Sequence, residues 1–217
     1  MNKFEKIDLV RRLGLNTETN ILIKSDNVEE TSRIVDFIQE NKIAEVSIRT
    51  MGATPEKSRD GTKTPHYPIV NVEDVLPTVK KIVKDGFYAI IATPIDPKDA
   101  LLAGAVLKTG DTYCIELVRG QYTVRRVTHE GIIDIDIMYD DRDKTQHVKK
   151  LPTQEEWPYI DEIIKEVVKV PFSSCIIELS YYRVPVGCKY ENVIIWDISS
   201  SGSHGSTVEL EAYYRKK

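Results

Sequence analysis

Cysteine, methionine, tryptophan and phenylalanine are scarce in this chain: three Cys, three Met, two Trp and four Phe in 217 residues. The three cysteines, Cys114, Cys175 and Cys188, are odd in number and match no zinc-ligand spacing, so neither a disulfide frame nor a structural zinc site is expected. Cys114 and Cys175 sit inside apolar runs, as reduced core thiols do, which points to a cytoplasmic protein. No apolar run approaches 18 residues, and the opening MNKFEKIDLVRRLG has no apolar core of a signal peptide, so no membrane partner is expected. Excess positive charge is also missing. The net charge is −4, Lys and Arg are scattered, and no basic stripe suited to nucleic acid is visible. His66, His129, His147 and His204 are too dispersed to form a ligand set. The Ser/Gly run at 199–206 lacks the lysine and helix of a phosphate-binding P-loop, and there is no Gly-x-Ser-x-Gly elbow.

What remains is an ordinary globular composition, 41% hydrophobic and 29% charged, on a chain long enough to bury a sizeable core. Apolar spacing predicts helices over 4–13, 27–41, 75–83 and 157–170, with Val28, Ile34, Val35 and Ile38 as the inner side of the second. Pro77 argues that the third helix starts close to Asp74. Strands are expected over 20–24, 45–49, 87–93, 103–107, 113–118, 122–128, 132–138, 174–181 and 192–198, with a last edge strand over 208–214. Residues 51–68 and 139–154 read as long polar loops. The expected architecture is α+β with two lobes, 1–86 smaller and 87–217 larger, an antiparallel sheet in the larger one, and a ligand cleft between them.

Three groups of residues could carry chemistry. Arg49 ends a strand and feeds a Thr/Gly-rich loop beginning at Thr50; its planar fork suits phosphate oxygens, or it pairs with a nearby carboxylate. Glu178 and Asp197 are each set in an apolar strand. Side by side they would make a hard-oxygen site for Mg²⁺; facing outward they are simply the polar side of an alternating strand. Glu116 lies in Glu116-Leu-Val-Arg-Gly120, which by itself is an ordinary hairpin with a charged face.

Taken in order, these pieces resemble the ATP-grasp nucleotide-binding domain of phosphoenolpyruvate synthase and pyruvate phosphate dikinase. The run from Val46 to Glu56 is similar to that family's V-R-S-S-A-T-x-E-D, and Lys6 to Thr17 to its opening K…L…G-L-P. Ala89 to Gly104 resembles the strand and turn lining the adenine, Ile115 to Gly120 the I-E…G-x-G-E segment, and Ile177-Glu178 with Ile194 to Asp197 the closing D-I-E-W…I-L-Q-x-R-P pair. The resemblance implies an ATP-grasp fold, ATP and Mg²⁺ as cofactors, and a transferase, kinase or ligase activity with an unknown acceptor. The alternative is a non-catalytic nucleotide-binding or regulatory module. It implies that Arg49 acts on the phosphates as the catalytic residue. Lys6, Thr50, Ile91, Ala92, Thr93 and Glu116 would contact the nucleotide, and Glu178 and Asp197 would hold the metal. Asp197 stands where the family has glutamine, and the R-x-P and most of the glycine run are absent. A protein partner could supply the phosphoryl acceptor.

Overall fold

In a computed structural model the described residues are 3–54, 65–120, 127 and 130–202. They form two compact units: residues 18–95, and residues 1–17 together with 96–217. A break near residue 86 was expected from sequence. The strand that follows it, Phe87–Ala92, is a central strand of the smaller unit's sheet.

In the smaller unit the elements run β1 (Asn20–Ile23), α2 (Val28–Asn41), β2 (Glu45–Gly52), β3 (His66–Asn71), α3 (Val72–Lys84) and β4 (Phe87–Ala92). The four strands are ordered β1-β4-β2-β3 with every pair antiparallel. One face carries the helices over a core of Ile23, Ile34, Phe37, Val46, Ile48, Val75, Val79, Ile82, Ala89 and Ile91. α2 starts where Asn27 Oδ1 accepts the Glu30 N–H at 2.9 Å, an N-cap that meets one of the helix's unpaired donors. Its inner face is Ile34 and Phe37, while Val28 is 84% and Val35 39% exposed, contrary to the expected face. The bulky Phe37 takes the inward position, and this turns the Val28/Val35 row outward. α3 begins at Val72, earlier than Pro77 suggested, so the proline sits inside the helix. An interior proline costs about 3 kcal/mol. Burial of Val75, Val79 and Ile82 at roughly 1.5–3 kcal/mol each offsets that cost. β3 occupies the end of the stretch read as loop. Its His66, Pro68 and Ile69 are exposed and only Val70 is buried, so no apolar alternation marked it.

The larger unit contains α1 (Lys3–Arg12), a short 3₁₀ turn at Pro97–Asp99, β5 (Ala100–Thr109), β6 (Thr112–Arg119), β7 (Ile135–Asp140), β8 (Thr145–Lys150), α4 (Trp157–Val167), β9 (Ser174–Val186) and β10 (Glu191–Ser199). The six strands form one antiparallel sheet ordered β10-β9-β5-β6-β7-β8. β8 lies in the stretch read as a charged loop. All six of its residues are exposed, so this edge strand carries no apolar signal. The expected strands at 122–128 and 208–214 lie outside the described residues, apart from Val127, which is buried beside Ala103 and Val118. One face of the sheet is the main core, where Ile115, Leu117, Ile135, Ile137, Ile177, Leu179, Val193 and Ile195 meet Leu9 and Val10 of α1 and Ile160, Ile163 and Val167 of α4.

The chain between α1 and β1 is held to the turn joining β9 and β10. Asn16 is fully buried, and its Nδ2 donates to the carbonyls of Val186 and Val193 at 2.9 Å and of Glu191 at 3.2 Å. Its Oδ1 accepts the Lys189 N–H at 2.9 Å. Gly187, at φ +80°, lets this clamp close: a Cβ there would lie 2.7 Å from Asn16 Oδ1 and 2.5 Å from Ile194 Cδ1.

Candidate functional site

The face of the larger sheet opposite the main core carries a row of acids. In an antiparallel sheet, residues directly opposite one another share a face. Asp136 on β7 pairs with Glu116 on β6, Glu116 with Ala105 on β5, Ala105 with Glu178 on β9, and Glu178 with Asp197 on β10. Four carboxylates and one alanine therefore run straight across five strands. Their flanking neighbours, Ile115, Leu117, Ile177 and Leu179, are fully buried on the other side.

Asp197 reaches this row through a β-bulge. The register shifts between Ile195 and Asp197, so Trp196 is the extra residue. Trp196 Nε1 donates to Ser180 Oγ at 2.8 Å, which fixes the bulged segment. Lys6 of α1 then reaches in, its Nζ 3.0 Å from Asp197 Oδ2. The other oxygen, Asp197 Oδ1, is buried and has no hydrogen-bond partner among the described residues. An orphaned carboxylate oxygen beside a second carboxylate fits a hard divalent cation, which takes oxygen ligands and completes its shell with water and phosphate. Among the described residues no group of three or more His, Cys, Asp or Glu is arranged around one metal position.

The row is partly neutralised at both ends. Lys6 meets Asp197, and Lys149 Nζ lies 3.8 Å from Asp136 Oδ2. At the end of β6, Arg119 makes a forked pair with Glu156, at 2.7 Å from Nε and 2.8 Å from a terminal nitrogen. That hydrogen bond holds the Glu156 carboxyl below its ordinary range against the opposing effect of burial. Asp134 accepts the Arg119 backbone N–H at 2.8 Å, which completes a clamp on the strand end.

Arg49 lies in the smaller unit. Its fork is engaged by Glu18, at 3.0 and 2.8 Å, and Glu18 is 2% exposed. Asn20 Nδ2 donates to the same carboxylate at 3.2 Å. Thr50 Oγ1 donates to the Pro65 carbonyl at 2.8 Å. Ile91 and Ala92 lie on β4, which is paired on both sides, so the ladder takes up their backbone groups; the Thr93 N–H donates to the Thr19 carbonyl at 3.0 Å. The structure thus brings Lys6, Glu116, Glu178 and Asp197 to one sheet face, and Arg49, Thr50, Ile91, Ala92 and Thr93 to the other unit. Sequence reasoning missed Asp136 and Glu18. Asp136 had a signal in the alternating Ile135-Asp-Ile-Met-Tyr139. Glu18 had none, since it precedes its strand. Two hollows on the described surface, of about 240 and 440 Å³, are lined by Glu162, Glu166 and Tyr190 and by Asp26, Val35 and Lys80, and no candidate residue lines either.

No protein-family model and no curated protein matches this sequence. Solved structures to which the chain is similar include a synthase, a macrocyclase and a synthetase. Carboxyaminoimidazole ribonucleotide synthase from Aspergillus clavatus, complexed with ATP, is 15% identical with a TM-score of 0.46 over 94% of this chain and 45% of its own. The macrocyclase MdnC with its precursor peptide, from Microcystis aeruginosa, is 15% identical with a TM-score of 0.45 over 98% and 60%. D-alanyl-alanine synthetase A from Vibrio cholerae is 9% identical with a TM-score of 0.43 over 100% and 62%. The chain spans about half to three-fifths of the length of these proteins. No helix among the described residues is long and apolar enough to cross a membrane.

Proposed function

We propose that this chain binds Mg-ATP in the manner of an ATP-grasp domain and serves an ATP-dependent ligase or phosphotransferase whose acceptor is unknown. The observation that carries this reading is the pairing of Glu178 with Asp197 on the sheet face opposite the main core, with Asp197 Oδ1 lacking a partner among the described residues. The ordered motifs of the sequence support it. In this reading Glu178 and Asp197 hold Mg²⁺, and Glu116 lies one strand beyond Ala105, facing the nucleotide or its ribose. When bound, the cation neutralises phosphate charge during transfer. Lys6 supplies a positive charge beside the same acids. Arg49 and Thr50 keep the phosphate role, on the condition that the Arg49 fork leaves Glu18 when nucleotide enters. The adenine contact falls at or beyond Thr93, because the sheet ladder already uses the backbone of Ile91 and Ala92. Three free thiols fit a reducing, cytoplasmic setting.

A second reading, nucleotide binding without turnover, is favoured by the Arg49–Glu18 pair. An arginine whose charge and donors are already taken up by a buried carboxylate binds phosphate more weakly. Isothermal titration with Mg-ATP separates the possibilities. The wild type binds, Glu178→Ala and Arg49→Ala weaken binding at least tenfold, and phosphate release distinguishes turnover from binding alone. Absence of binding by the wild type, or unchanged binding in both variants, rejects the nucleotide assignment.

A further inference from the structure

We infer that Lys6 is an internal counter-ion that keeps a divalent cation off Asp197 until a polyphosphate arrives to take the lysine's charge. The inference rests on the reading of Glu178 and Asp197 as a cation site and adds how that site is controlled. Its basis is that a single carboxylate is asked to serve two cations. Asp197 Oδ2 is bonded to Lys6 Nζ at 3.0 Å, while Oδ1 is buried without a partner among the described residues. A divalent cation at Oδ1 would share that carboxylate with an ammonium, and like charges this close oppose one another. With Lys6 in place, the negative charge on Asp197 is already cancelled.

The element carrying Lys6 is anchored while the side chain itself is not. Ile7, Leu9 and Val10 of α1 are buried in the main core, whereas the Lys6 side chain keeps 27% of its exposure. A lysine is a point charge on a four-carbon stem with freely rotating donors, so its head can move several ångströms without disturbing the helix. A polyphosphate brings several negative charges with its cation. The ammonium can then transfer from Asp197 to a phosphate oxygen, which leaves the Asp197 carboxylate to the metal. Metal and nucleotide each remove a cost borne by the other, so their binding is cooperative and reciprocal.

The test uses Mn²⁺ as the probe, with free Mn²⁺ followed by electron paramagnetic resonance on the full chain, with and without a non-hydrolysable ATP analogue, and with the Mn²⁺ that the analogue chelates without protein measured and subtracted. For the wild type, Mn²⁺ alone binds weakly, and the analogue tightens it by roughly fivefold or more. In Lys6→Met, which keeps the apolar stem, Mn²⁺ alone binds roughly fivefold or more tightly than to the wild type, and the enhancement by analogue shrinks. Lys6→Gln is the second variant if methionine disturbs α1, with circular dichroism checking the fold. Glu178→Gln must abolish binding in each background. If Lys6→Met binds Mn²⁺ no more tightly than the wild type and keeps the full enhancement, the counter-ion role is wrong while the metal site stands. If no form binds Mn²⁺ even with the analogue, the metal site falls, and the inference with it.

Discussion

At the scale of single residues, charged side chains in this protein are placed by the partner each one finds. Glu156 illustrates the energetic consequence. Its carboxyl is held below the ordinary range by the Arg119 fork, and it is largely buried. A folded-state pKa below the unfolded one means that the unfolded chain binds the proton more readily. The pair therefore stabilises the fold above the unfolded carboxylate range, and that contribution is lost as pH falls through the folded value. Urea denaturation of the wild type and Glu156→Gln should accordingly differ at pH 7 and converge toward pH 3. Equal gaps at both pH values would contradict this linkage. Arg49 and Glu178 were both legible in the sequence as charged residues at strand positions. What each touches was not legible, because a strand specifies faces and says nothing about which segment folds over them.

At the scale of elements, the acid row depends on close strand spacing between β5 and β6. Gly104 faces the main core beside Ala105, and a Cβ there would lie 2.0 Å from the Glu116 carbonyl oxygen and 2.9 Å from Leu117 Cα. Those are backbone atoms and cannot swing away. Gly104→Ala must push β6 outward, at a cost on the order of 1–3 kcal/mol by overpacking. Thermal melting should register that loss, and Mg-ATP binding should weaken with it because Glu116, placed against the nucleotide, moves with β6. Strands buried on one face, such as β6 and β9, announced themselves by alternating apolar residues. The edge strands β3 and β8 did not, since their residues bury little and their only tie is the hydrogen-bond ladder.

At the scale of the whole molecule, each unit has its own sheet and its own core. A ligand that binds only the folded chain must raise its stability by mass action, by about 2.7 kcal/mol at a hundredfold excess over the dissociation constant. Saturating Mg-ATP should therefore raise the melting temperature of the wild type by several degrees and that of Glu178→Ala by clearly less. A melting curve indifferent to Mg-ATP would favour a protein that does not use the nucleotide.

The sequence alone determined the class of structure and most of its parts. Apolar spacing dictates which helices and one-sided strands form, because each must hide a face. Only the tertiary structure decided which charges meet. The bulge at Trp196 turns Asp197 onto the face opposite the main core, register aligns it with Glu178, and α1 brings Lys6 across 191 residues of chain to the same carboxylate. Register and long-range approach follow from the packing of all the elements at once, and no local stretch of sequence contains that information.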